Sequence, residues 1–301
     1  SRDICFLSVA NAMRGAKHAQ LIASQDTLNL LGPSDGQAGS RLAVPFGQPF
    51  TLGTHRIELF SSGHGLGAAS LLVQVETHKV VYAGTINPRG SALGGALDHR
   101  SADIVVLSGR YGTPRFAFPD EDSVRSKLHD RCTEICQAGG VAVLLVGDAG
   151  KALDLASQLG ESLEVQAHRS FHDAARRCRP NLFEELRRWN PKGKGGRVLL
   201  WPIHTRSRLD RATLAKGPSE VLLVSGQAMD RDCVAAAGAS EGFALSNQAD
   251  HGELVRYIRS SGAEQVYVTQ SADRAQGLRD ALPEHKIEAI GPPEQLSLFG
   301  S

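Results

Sequence analysis

Aromatic side chains are scarce in this sequence. Phe, Trp and Tyr make up 5% of it, with only two tryptophans and four tyrosines, so aliphatic residues and alanine must fill most of the interior. Cysteine is equally thin: Cys5, Cys132, Cys136, Cys178 and Cys233 are odd in number and form no Cys-x-x-Cys pair. That argues against a disulfide framework and predicts free thiols in a reducing cytoplasm. Charge of one sign is also lacking. Thirty-three Lys and Arg against 32 Asp and Glu leave a net +1, so no overall field draws the molecule to nucleic acid or to an anionic membrane, and any such attraction must come from a local patch. No apolar run reaches bilayer length, and the opening residues show no signal-peptide pattern, so the expectation is a cytoplasmic chain with no membrane partner.

What remains is enough to fold. At 301 residues and 41% hydrophobic, the chain can bury one large core or two moderate ones. Short β-rich runs alternate with Ala/Leu-rich amphipathic stretches. "HRIELFSSG", "ADIVVLSG", "GVAVLLVG", "RVLLWPI", "EVLLVSG" and "EQVYVTQ" read as strands ending in polar or Gly-containing turns. "DEDSVRSKLHDRCTEICQAG", "AGKALDLASQLG", "SFHDAARRCRPNLFEELRRWN" and "DHGELVRYIRSSG" read as helices. This alternation predicts an α/β plan, while "SLLVQVETHKVVYAG" predicts an antiparallel hairpin and therefore a mixed sheet. "LIASQDTLNLL" reads as a strand followed by a helix. There is no internal repeat.

"FSSGHGLGAASLLVQVETHKVVYAGTINP" resembles a segment of the metallo-β-lactamase fold in its β-CASP branch, the nucleases related to mRNA 3′-end processing factors and the ligase-associated exonucleases. "ADIVVLSGRYG", "GGVAVLLVGDAGKALDLASQLG" and "GFALSNQADHGELVRYIRSSGAEQVYVTQS" resemble further segments of that branch, in the same order. The resemblance implies an α/β, metallo-β-lactamase-like αββα sandwich at 1–118 and 229–290, an inserted β-CASP-like α/β lobe at 119–228, and a flexible tail at 291–301.

Members of that family hold two metal ions, usually zinc, which share a bridging hydroxide for attack on a phosphodiester. By the resemblance, the ligand positions fall here on Val9, Asn11, Met13, Arg14, His64, Thr85, Gln248 and Gln270, with Asn247 before Gln248 and Ser108 at a conserved acid's place. Only His64 is a good ligand, and Arg14 puts a fixed positive charge where a cation would sit. The expectation is a site without metal or other cofactor, in which His64 is a hydrogen-bonded turn residue, and hence a pseudoenzyme.

Other constellations are weaker. His168 and His172 are four apart but lack a third ligand, and Cys132 and Cys136 share a helix face as small hydrophobes. His251 after Asp250 is read as the first turn of a helix, with a relocated metal site around His64, Asp250 and His251 as the rival. "GDAGKA" is a poor phosphate loop.

From His168 to Lys216 the chain is markedly basic. Arg176, Arg177, Arg187, Arg188, Lys192, Lys194 and Arg197 are candidate phosphate contacts, with a plain solvated surface as the alternative. Trp189 and Trp201 are candidates for base stacking or for core packing. In the tail, Gln295, Leu296, Ser297, Leu298 and Phe299 ("QLSLF") match the bacterial sliding-clamp-binding motif, which places leucines and phenylalanine in apolar pockets. The sequence therefore predicts an inactive nuclease relative that serves DNA replication or repair on the sliding clamp. The alternatives are an active nuclease with a rearranged site and a structural subunit paired with an active paralogue.

Overall fold

A computed structural model of the chain describes residues 4–10, 17–32, 37–181, 183–184, 186–193, 195–209, 218–269 and 271–290. Among them, strands and helices form a mixed α/β architecture with three sheets. β1 (Ile4–Phe6), β2 (Lys17–Ala23) and β3 (Gln37–Ala43) pair in parallel, with α1 (Gln25–Leu31) between the last two. Ser24 starts α1 by accepting the Thr27 N–H at 3.1 Å.

β4 (Phe50–Leu52), β5 (His55–Ser61), β6 (Ala69–Val75) and β7 (His78–Gly84) follow as an antiparallel run, and β8 (Ile104–Leu107) adds in parallel to β7. The hairpin expected from the sequence is β6–β7, and this sheet is mixed.

The chain then builds α2 (Glu121–Gln137), β9 (Val141–Val146), α3 (Ala149–Leu159), β10 (Val165–Ala167), α4 (Arg169–Cys178), β11 (Arg187–Arg188), β12 (Arg197–Pro202), β13 (Ser219–Val224), α5 (Arg231–Ala236) and β14 (Glu241–Phe243). These strands form a parallel sheet in the order β11-β10-β12-β9-β13-β14. The unbroken apolar run of β9 follows from its central place. Ala142, Leu144 and Val146 face α2, α3 and α4, while Val141, Val143 and Leu145 join Leu199, Trp201 and Leu223 on the other face.

After α6 (His251–Ser261), β15 (Gln265–Val268) returns to pair with β8, and α7 (Ala272–Ala281) leads to β16 (Lys286–Ala289). The seven-stranded sheet thus runs β16-β15-β8-β7-β6-β5-β4, and the six-stranded sheet leaves and rejoins it between two adjacent strands. Leu254, Tyr257 and Ile258 of α6 and Leu278 of α7 cover one face through Val81, Val105, Leu107 and Val266. Ile22 of β2 packs against Ile57, Leu59 and Ala69 on the other, and α1 lies beyond β2 through Leu28 and Leu31.

One expected helix is shorter than its sequence pattern. The run from Ser170 to Asn190 reads as continuous helix, yet α4 ends at Cys178. Pro180 follows Arg179, whose backbone is at φ −143°, ψ 63°, as a residue before proline is driven out of the helical region. Among the described residues, no helix is long and apolar enough to cross a membrane.

Candidate functional site

Both large sheets present the carboxyl ends of their strands to one cleft of about 270 Å³. His64 follows β5, Thr85 follows β7, and Ser108, Arg110 and Tyr111 follow β8. From the parallel sheet come Gly147, Asp148 and Lys151 after β9, Ser225 and Gly226 after β13, and Ser246, Asn247 and Gln248 after β14. Loops at strand carboxyl ends are the usual place for a ligand in sheets of this kind, because the strands fix the loops rigidly while leaving their side chains free to vary.

The turn carrying His64 is built from glycine for a steric reason. Gly63 sits at φ 68°, and a Cβ there would lie 2.2 Å from the Asn87 carbonyl oxygen. His64 is buried, and its ring is committed. Nδ1–H donates to the Asn247 carbonyl at 2.7 Å, which leaves Nε2 as the acceptor. The Asn247 amide nitrogen then lies 3.4 Å from His64 Nε2 and 3.3 Å from Asp148 Oδ2. Both neighbours are acceptors, so this atom must be the NH₂ group, and an amide donor faces the nitrogen that would otherwise offer its lone pair to a metal. Among the described residues Asp148 is the one carboxylate lining the cleft; its other oxygen caps α3 by accepting the Lys151 N–H at 2.9 Å.

Lys151 changes the electrostatics most. It is 5% exposed, and among the described residues its ammonium makes no hydrogen bond. Burial lowers its pKa to about 8, the Arg125 charge adds to that effect, and Glu121, Asp148 and Asp154 offset it in part. Asp154, one turn on, is pushed up to about 6 by burial, against a hydrogen bond from the Leu93 N–H. Arg110 supplies a second cation at the exposed rim.

A dinuclear metal centre does not fit this set. Among the described residues, no three His, Cys, Asp or Glu side chains are placed to hold a metal ion. Hydroxyls, amides and one shared carboxylate bring too little negative charge to replace the water of two divalent ions, and Lys151 and Arg110 oppose them.

Of the positions marked by the resemblance, His64, Thr85, Ser108, Asn247 and Gln248 meet in this cleft, and Val9 lines a small neighbouring void with His64. Arg89 fixes the Gln248 loop by donating to the carbonyls of Gln248 and Ser246 at 2.9 and 3.2 Å while pairing with Glu253. Asn11, Met13, Arg14, Lys194, Gln270 and the tail residues Gln295, Leu296, Ser297, Leu298 and Phe299 lie outside the described residues. Asp250 and His251 do not line the cleft. Asp250 caps α6 in a reciprocal pair with Glu253, and His251 Nδ1 lies 3.0 Å from the Gly112 carbonyl. Asp148 and Lys151 were the residues sequence reasoning missed as cleft residues; their signal was the "GDAGKA" turn.

The basic residues separate into different roles. Arg176, Arg187, Arg188 and Lys192 are exposed. Arg177 donates to the Asn29 and Leu30 carbonyls at 2.8 and 3.0 Å, tying α4 to the end of α1. Arg197, expected to contact phosphate, is 1% exposed: its guanidinium lies 5.0 Å over the Trp189 ring and donates to the carbonyls of Gly193 and Gly195. A side chain so enclosed is a structural brace, which corrects that expectation.

The fold and cleft define an α/β protein whose two main sheets converge on a polar, cation-bearing pocket. No family model matches the chain. It is similar to a probable DNA ligase of Opitutus terrae, with 26% identity over 301 residues, which cover 97% of this chain and 29% of the ligase. It is also similar over about a third of its length to two proteins of Methanocaldococcus jannaschii, an RNase J-like protein (26% identity over 102 residues, 33% of this chain and 24% of that protein) and a probable RNase MJ4 (31% over 103 residues, again 33% and 24%). The chain therefore spans less than a third of the length of these relatives, all nucleic-acid-processing proteins by name. A crystal structure of a protein of unknown function from Enterococcus faecalis V583 shares the fold, with a TM-score of 0.61 over 96% of this chain and 79% of that one, at 14% identity.

Proposed function

We propose that this chain has a metallo-β-lactamase fold of the β-CASP branch with a dismantled metal site, and that it acts as a nucleic-acid-binding accessory protein docked on the bacterial sliding clamp through Gln295–Phe299. One observation carries the reading: at the cleft where the two sheets meet, an asparagine amide faces the one histidine and a buried lysine replaces negative charge. The layering of helices, sheet, second sheet and helix supports the fold assignment. Similarity along nearly the whole chain to a probable DNA ligase, against a third of the chain for the ribonucleases, favours DNA as the partner.

Two measurements on the purified full chain test it. Metal analysis is expected to find no stoichiometric ion, and nuclease assays no activity that a chelator removes. Stoichiometric zinc or manganese together with chelator-sensitive cleavage would overturn the pseudoenzyme reading. Binding to purified sliding clamp is expected to be lost when Leu298 and Phe299 are both changed to alanine, and equal binding by the two forms would remove the clamp from the proposal.

A further inference from the structure

The cleft between the two main sheets holds donors that nothing in the chain meets. Among the described residues, the Lys151 ammonium, the Arg110 guanidinium and the hydroxyls of Thr85 and Ser108 line it without a hydrogen bond or ion pair. The carboxylate and the imidazole of the cleft are already engaged. Asp148 accepts the Lys151 N–H on one oxygen and the Asn247 amide on the other, and both ring nitrogens of His64 face Asn247. We propose that this cleft is an oxyanion site for inorganic phosphate or a small phosphomonoester, held by the Lys151 ammonium and the Arg110 guanidinium with the Thr85 and Ser108 hydroxyls as further donors; this rests on the metal-free reading above.

Two cations stand against one carboxylate in the cleft lining. Lys151 is 5% exposed, so water does little for its ammonium, and burial lowers its pKa to about 8. Glu121, Asp148 and Asp154 offset that effect only in part, and each has another commitment. Glu121 pairs with Arg89 at 2.9 Å and with Arg125, while Asp154 accepts the Leu93 N–H at 3.0 Å. The rim repeats the imbalance. Burial, and then the charges of Arg115 and Arg110, hold the Arg274 guanidinium below the usual arginine range, against Tyr111 and Asp273. Arg274 itself donates to the Arg110 carbonyl, so it is not one of the free cations.

The ligand that completes such a set accepts hydrogen bonds on several sides and carries more than one negative charge. A phosphomonoester loses its second proton near about pH 6, so at neutral pH it is mostly a dianion with three strong acceptor oxygens. A phosphodiester carries a single charge and leaves one of the two cations unmatched. Arginine meets phosphate with a planar fork of donors and lysine meets it as a point charge, so the two cations here play complementary parts. The cleft volume of about 270 Å³ lies just below the range of about 300–1,000 Å³ common to drug-sized ligands, which suits one phosphate group with little attached to it. The charges that oppose a divalent metal attract this anion.

Isothermal titration calorimetry on the full chain, in chloride at constant ionic strength, tests the site with three probes: inorganic phosphate, thymidine 5′-monophosphate and the phosphodiester thymidylyl-thymidine. Saturable binding of the first two at one site per chain is expected, with the diester weaker by about tenfold or more. Tighter binding of the monophosphate would assign the site to a monoester and tighter binding of inorganic phosphate to the free ion; either supports it. Lys151→Met should weaken phosphate by about tenfold or more, and Arg110→Gln, at an exposed side chain, by about three- to tenfold. Arg176→Gln, exposed and outside the cleft, should leave it unchanged. Circular dichroism of each variant separates lost binding from lost folding. No heat up to millimolar phosphate, equal affinity for the diester, or parent-like binding by both cleft variants would overturn the oxyanion site and leave the metal-free reading standing. Stoichiometric zinc in the same sample, with phosphate binding that a chelator abolishes, would overturn both.

Discussion

Replacing Lys151 by methionine should make the protein more stable at pH 7. The lysine is 5% exposed, its ammonium has no hydrogen bond among the described residues, and its pKa falls from 10.5 to about 8 chiefly because burial strips water from the charge. A displacement of that size places about 3 kcal/mol on the charged form at pH 7, where lysine is protonated both folded and unfolded. Methionine has nearly the same length and no such penalty. Part of the gain is given back, because the ammonium also helps Asp154 to ionise. A net stabilisation of about 1–2 kcal/mol is therefore expected, read as a higher urea midpoint by circular dichroism. The sign of the pH dependence follows from the same shift. Between pH 8 and 10.5 the unfolded chain holds the proton that the folded chain has released, so this group makes stability rise with pH across that window. The variant should lose that component. A variant less stable than the parent at pH 7, or one with an undiminished rise toward alkaline pH, would refute the account of Lys151 as a buried charge that its acidic neighbours offset only in part.

Arg197→Met should lower stability by about 2–3 kcal/mol in the same urea assay, because it removes the stacking on Trp189 and the hydrogen bonds to Gly193 and Gly195, while the salt dependence of oligonucleotide binding stays as in the parent. A changed salt slope would return this arginine to the binding surface. Among the thiols, Cys132 and Cys178 are pushed up to about 12 and about 11, mainly by burial, so at pH 8 both should resist iodoacetamide in the folded chain and react only after denaturation. Mass spectrometry of the labelled peptides checks this, and early labelling of either in the folded protein would contradict the burial shown.

Much of the fold was legible in the sequence because its signals are local. The six apolar residues of β9 predict a strand buried on both faces. The hairpin of β6 and β7 was visible from two β-rich runs around a short polar turn, and α6 from the run "DHGELVRYIRSSG", with Asp250 and His251 read as its first turn. The excess length assigned to α4 came from giving the amphipathic pattern more weight than Pro180. Short strands such as β10, β11 and β14 passed unnoticed, since two or three residues carry no periodicity and exist only because neighbours supply their hydrogen bonds.

The site divides along the same line. Sequence alone determined which residue types the resemblance sets at the positions of acids and imidazoles, for residue type is written at each position whatever the chain does next. It could not tell that Asn247 would turn its amide toward His64, that Lys151 would be buried at the cleft, or that Arg197 would be enclosed while Arg188 stayed exposed. Those outcomes depend on contacts between residues as far apart as His64 and Asn247, and on how much water the assembled sheets exclude. Burial and charge pairing are properties of the packed whole, so only the tertiary structure could decide them.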